Sequence, residues 1–140
     1  MSEEMIQKLI EVAKEVRLNA YAPYSKFKVG AAVLGADGNI YKGCNIENAS
    51  YGATVCAERT ALLTMVANGC QAFKAIAVIG AREEPGDGGP CALCRQVMAE
   101  FADDMSKTLV ISAGQSNHYI IRTVADLYPN AFTKFVPDND

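Results

Sequence analysis

Strand-like and helix-like segments alternate along this chain, which predicts a layered α/β fold with helices covering a sheet. Two further observations agree. The 140 residues, 50 % of them hydrophobic, suit one domain spanning residues 1–140 that buries a core without disulfides. No internal repeat, low-complexity stretch or linker interrupts the alternation.

Taken in order, Met5, Ile6, Leu9, Ile10, Ala13 and Val16 recur at three- and four-residue steps, which predicts an amphipathic helix from Ser2 to about Ala20. Ser2 can cap it, and Glu3 and Glu4 suit the positive end of its dipole. The β-prone runs 28–34 and 39–45 flank Gly35-Ala36-Asp37-Gly38, where the Asp-Gly pair predicts a hairpin. Asn45 and Glu47 then fall just beyond a strand end. Thr54 is expected to cap a helix running to about Asn68 and stopped by Gly69, with Cys56 and Glu58 in its first turn. The apolar run 75–80 reads as a buried strand. The Gly- and Pro-rich stretch 82–90 reads as an irregular loop, and Pro90 leads into a second helix that carries Cys91 and Cys94 at i and i+3 on one face. Residues 107–113 and 117–121 are two more strands around Ala113-Gly114-Gln115-Ser116, and residues 123–128 form a short final helix.

A formal net charge of −3 and the lack of any Lys/Arg cluster argue against nucleic acid as the main ligand and point to a small substrate. The amino terminus has neither a basic n-region nor an apolar h-region, and no window approaches 18 apolar residues. A soluble, cytoplasmic protein without a membrane partner is expected. Five cysteines make an odd number, which with their spacing suits a reducing compartment and a metal better than a disulfide framework. Cys44 and Cys70 are expected as free, small buried hydrophobes and His118 as a strand residue without a chemical role.

The chemistry concentrates in Cys56-Ala57-Glu58-Arg59 and Pro90-Cys91-Ala92-Leu93-Cys94. Three sulfur ligands leave the fourth position of a zinc ion open to water, and an open position marks a catalytic site rather than a structural one. Glu58, beside a ligand, is the natural general base for that water. If Cys56 and Cys91 start two helices, their amides and dipoles favour the thiolates that zinc binds. Three thiolates leave the site about one unit negative, which opposes deprotonation of a bound water. Arg59 is placed to withdraw that excess charge.

A ligand-x-Glu followed by Pro-Cys-x-x-Cys is the signature of zinc deaminases of nucleobases. With Tyr24-Ser25-Lys26-Phe27-Lys28-Val29-Gly30-Ala31-Ala32, Gly43-Cys44-Asn45-Ile46-Glu47-Asn48-Ala49-Ser50-Tyr51, Cys91-Ala92-Leu93-Cys94-Arg95-Gln96 and Pro129-Asn130-Ala131-Phe132, the chain resembles the small homotetrameric cytidine deaminases over nearly its whole length. That resemblance implies a three-layer α-β-α sandwich around a mixed sheet of about five strands. It implies one Zn2+ per subunit on Cys56, Cys91 and Cys94, and hydroxide attack at C4 of cytidine or 2'-deoxycytidine in pyrimidine salvage. Glu58 would move protons from water to ring N3 and on to the leaving amine. By the same resemblance Phe27 packs against the nucleoside, Asn45 and Glu47 hydrogen-bond the ribose, and the Ala57 backbone meets the base carbonyl. Tyr51 and Phe132 would reach a neighbouring subunit's site, so that each site of the homotetramer is composite. The chain departs from the family's usual glycine at Ala92 and usual leucine at Tyr128.

Two other readings use the same motifs. One is a deaminase of another aminopyrimidine such as blasticidin S. The other is a non-catalytic zinc-stapled module, which needs a fourth ligand from Cys44, Cys70 or His118.

Overall fold

The computed structural model describes residues 1–133. Its elements are α1 (Glu3–Arg17), β1 (Gly30–Gly35), β2 (Ile40–Cys44), a 3-10 turn (Tyr51–Ala53), α2 (Ala57–Ala67), β3 (Phe73–Ile79), α3 (Ala92–Phe101), β4 (Leu109–Ala113), β5 (Tyr119–Thr123) and α4 (Val124–Leu127). The strands form one mixed sheet in the order β2-β1-β3-β4-β5. β1 runs antiparallel to both β2 and β3, β4 is parallel to β3, and β5 is antiparallel to β4. The parallel pair requires a crossover, and α3 supplies it.

Strand alternation splits the core between the two faces of the sheet. Ala32, Ala75, Ala77, Ile79, Ile111 and Ala113 pack on Ile6, Leu9, Ile10 and Ala13 of α1. Ala31, Val33, Ile76 and Val110 face Leu62 and Met65 of α2, Met98 of α3 and Val124 of α4. This is the expected α-β-α sandwich, with one helix on one side and three on the other. Leu9, Leu62 and Met65 have no exposed surface, and burying such a side chain is worth about 1.5–3 kcal/mol. Helix α2 sits close to the sheet because Gly43 has no side chain. A β-carbon there would lie 2.4 Å from the Ala61 amide nitrogen.

Several boundaries differ from the sequence expectation. Helix α2 begins at Ala57 with Cys56 as its cap, not Thr54. The reason is tertiary: Ile46 and Val55 exchange backbone hydrogen bonds (2.9 and 3.0 Å), which keeps the chain extended up to the cysteine. The Thr54 hydroxyl instead accepts from the Asn48 amide. Strand β5 starts at Tyr119 because Asn117 takes a left-handed φ of 72° and closes the preceding turn, leaving His118 outside the strand. Cys70 is buried as expected, but Cys44 at the end of β2 is only half-buried. No helix of the described residues is long and apolar enough to cross a membrane.

Candidate active site

Two helix starts converge on one cluster of sulfurs. Cys56 caps α2, Cys91 caps α3, and Cys94 is the third residue of α3. Neither capping side chain accepts from a backbone amide of its helix, so the sulfurs are free to face one another. Cys56 Sγ lies 3.7 Å from Cys91 Sγ, which lies 3.4 Å from Cys94 Sγ. The three sulfurs are all within 4.8 Å of one another, and the described residues add no fourth Cys, His, Asp or Glu donor to the group. Zinc–sulfur bonds of about 2.3 Å at tetrahedral angles separate ligand sulfurs by about 3.8 Å. The cluster therefore fits a zinc ion with little rearrangement. Cys44, Cys70 and His118 stand apart from it, and His118 pairs with Glu84 at 2.8 Å on the surface.

The electrostatics fit a thiolate cluster. Cys56 is held down at about 5 because Cys94 donates its S–H to it, and because Arg59 and Cys91 also bond it. That same bond, with burial, pushes the Cys94 thiol up. Metal would take the place of the shared proton. Arg59 directs Nη2 to Cys56 Sγ at 3.6 Å and to the Thr54 carbonyl at 3.4 Å, while its buried Nε has no partner. Glu58 follows Cys56 by two residues, is 7 % exposed, and has its carboxyl pushed up to about 7 by burial. A carboxyl so poised can both accept and return a proton near neutral pH.

Glu58 faces a cleft of about 160 Å³, walled by Phe27, Val29, Val78, Gly80, Pro90 and Ser112 among others. The Phe27 ring lies over Gly80, where a β-carbon would sit 2.7 Å from ring Cζ. The cleft opens at the carboxyl ends of β3 and β4, the parallel pair, which is where open α/β sheets place ligands.

Across residues 3–111 the sequence matches the model of the cytidine and deoxycytidylate deaminase zinc-binding region. The chain belongs to this deaminase family. A cytidine deaminase of Sporosarcina psychrophila is 49 % identical over 130 residues, 92 % of either chain. One of Mycobacterium tuberculosis is 38 % identical over 124 residues, 86 % of this chain and 84 % of the relative. Among solved structures, a cytidine deaminase from Burkholderia pseudomallei superposes with a TM-score of 0.83 at 45 % identity, covering 94 % of this chain and all (100 %) of that one.

Within the deaminase fold the expected site residues separate into groups. Cys56, Cys91, Cys94, Glu58 and Arg59 meet at the helix starts, and Phe27 shares the cleft with Glu58. Ala57 is fully buried as the first residue of α2. Glu47 and Tyr51 line a second cleft of about 390 Å³ with Tyr24, Ser25, Asn48 and Thr54. The Tyr24 and Tyr51 rings meet edge to face at 6.1 Å. Asn45 lines neither cleft; its side chain bonds the backbone of Phe27 and Val29. Phe132 is 63 % exposed, and its carbonyl accepts from Gln96 Nε2 at 2.7 Å.

Both departures from the family pattern find a place. Ala92 opens α3 and is not among the residues of positive φ, so its β-carbon meets no backbone strain. The Tyr128 hydroxyl donates to Gln96 Oε1 at 2.5 Å, a bond that leucine could not make. Sequence reasoning missed Val29, Val78, Gly80 and Ser112 as cleft walls. The ends of the parallel strands were the signal for the last three.

Proposed function

We propose that this protein is a cytidine deaminase that hydrolyses cytidine and 2'-deoxycytidine to the uridine nucleosides and ammonia, in pyrimidine salvage. The observation that carries the reading is the buried Glu58 carboxyl facing a nucleobase-sized cleft beside three clustered sulfurs. Cys56, Cys91 and Cys94 would hold one zinc per subunit. When bound, zinc acts as a Lewis acid that lowers the pKa of a coordinated water.

Glu58 takes the first proton of the water that adds to C4 and delivers it to ring N3, then takes the second from the new C4 hydroxyl and passes it to the exocyclic amine as the C4–N bond breaks and the C4 carbonyl forms. The water supplies the new C4 oxygen and ammonia leaves, so the reaction is a balanced hydrolysis. Burial of Glu58 supports this role, because a carboxyl pushed up to about 7 can accept a proton and return it near neutrality. Arg59 drains charge from Cys56, keeping three thiolates from suppressing water ionisation. Phe27 and Val29 wall the base, and the Ala57 backbone meets its carbonyl. Asn45 and Glu47 reach the ribose. Tyr51 and Phe132, both exposed on one chain, support a homotetramer in which each cleft is completed by a neighbour. Cytoplasmic residence fits the free thiols.

The test is conversion of cytidine to uridine by zinc-loaded protein, in competition with blasticidin S. Preferential turnover of cytidine is expected. Preferential turnover of blasticidin S would move the substrate assignment to that class, and turnover of neither would overturn the deaminase reading.

A further inference from the structure

The wall of the cleft that carries Phe27 is built under strain. Lys26, the residue before Phe27, adopts a φ of 61°, a left-handed conformation that a side chain disfavours. Such a residue persists only where its surroundings over-determine it. Upstream, the Glu47 carboxylate accepts from the Tyr24 and Ser25 amides, both at 3.0 Å, and from the Ser25 hydroxyl. Those bonds hold the Glu47 carboxyl below its ordinary range, with the Ser25 hydroxyl the largest cause. Downstream, the side chain of Asn45 grips the chain on both sides of Lys28. Its Nδ2 donates to the Phe27 carbonyl at 2.9 Å, and its Oδ1 accepts from the Val29 amide at 2.8 Å. Arg17 Nε holds the Lys28 carbonyl between them at 2.9 Å.

We propose that Asn45 is a positioning residue of the cleft: it acts on catalysis by fixing Phe27 and Val29, whether or not the substrate carries a sugar hydroxyl. The proposal rests on the deaminase reading and adds to the ribose contact assigned above. The two roles are compatible, because an amide nitrogen has two hydrogens and only one is used on Phe27. They are also separable. Phe27 and Val29 line the cleft that Glu58 faces, whereas the Asn45 side chain lines neither cleft. A shifted Phe27 ring would also lose its seat over Gly80.

The experiment crosses enzyme variant with substrate variant. Steady-state constants are measured for the wild type, Asn45→Ala and Asn45→Asp on cytidine and on 2',3'-dideoxycytidine, which lacks both sugar hydroxyls at issue. Asp keeps the acceptor for the Val29 amide but sets an oxygen against the Phe27 carbonyl, so it should retain the fold and lose half the brace. Expected on 2',3'-dideoxycytidine is a loss of about tenfold in kcat/KM, carried by KM and the size of one aromatic contact, with a larger loss on cytidine, where the ribose contact goes as well. A loss on cytidine that vanishes on dideoxycytidine would overturn the proposal, and so would a fall in kcat at unchanged KM.

A second readout needs no turnover. Amide hydrogen exchange in the zinc-loaded protein without substrate should speed up at Val29 in Asn45→Ala while Ala31 and Ala32 stay protected. Unchanged protection at Val29 would equally overturn the proposal. If the wild type deaminates neither nucleoside, the deaminase reading falls while this exchange result still judges the brace.

Discussion

The two clefts differ in how much of their chemistry one chain completes. At the first, two helix starts bring Cys56, Cys91, Cys94, Glu58 and Arg59 together, and Cys94 and Glu58 are buried. At the second, Glu47 and Tyr51 line an open surface depression, and Tyr51 is 77 % exposed. The contrast teaches where precision comes from. Helix termini fix ligand positions to within fractions of an ångström because regular backbone sets them. An exposed aromatic gains comparable definition only when something packs against it. The proposed reacting groups thus lie where regular backbone fixes them, and in the proposed homotetramer the second cleft is where a neighbouring copy would add its share.

The largest expected effect breaks the first region outright. Cys91→Ala removes one of three sulfurs and should abolish both zinc binding and turnover, read by metal analysis and ammonia release. Full activity in a metal-free variant would show the cluster to be irrelevant. Next comes Arg59→Ala, which leaves the three sulfurs in place but removes the cation 3.6 Å from Cys56 Sγ. Zinc affinity should weaken by about 10–100-fold in a chelator competition, as for other outer partners of metal ligands. Unaltered affinity would reduce Arg59 to a surface residue.

Smaller effects fall on the exposed parts of the chain. Phe132→Ala should raise KM by up to about tenfold while leaving zinc content and melting temperature unchanged, since the ring is 63 % exposed on its own chain. A fall in melting temperature at constant KM would instead assign Phe132 to packing. Smallest is the strained turn. Lys26→Val forces a β-branched side chain into positive φ and should cost about 1–2 kcal/mol in denaturant unfolding, whereas Lys26→Gly should be close to neutral.

Local rules carried much of the fold. The period of Ile6, Leu9, Ile10 and Ala13 fixed α1, and Ser2 caps it as expected, accepting from the Met5 amide at 3.2 Å. Asp37-Gly38 lies in the turn between the paired strands β1 and β2. The cysteine spacing was equally readable, because i and i+3 on one helix need no tertiary information. What the sequence concealed depends on distant partners. Cys56 rather than Thr54 caps α2 because Val55 pairs with Ile46, and β5 begins later because of the backbone of Asn117. The double bond from Asn45 to Phe27 and Val29 could not be foreseen, since an Asn after a hairpin is common for local turn reasons alone. Gly80 likewise becomes meaningful only once the Phe27 ring lies over it.

In the proposed reaction Glu58 moves the protons of a hydrolytic deamination at a three-cysteine zinc site. Ammonia release from cytidine, compared between wild type and Glu58→Gln with zinc content measured in both, tests it most directly. Full zinc occupancy is expected in each protein, with a loss in turnover of at least about 10²–10⁴ in the variant. Comparable turnover by Glu58→Gln with its zinc retained would contradict it.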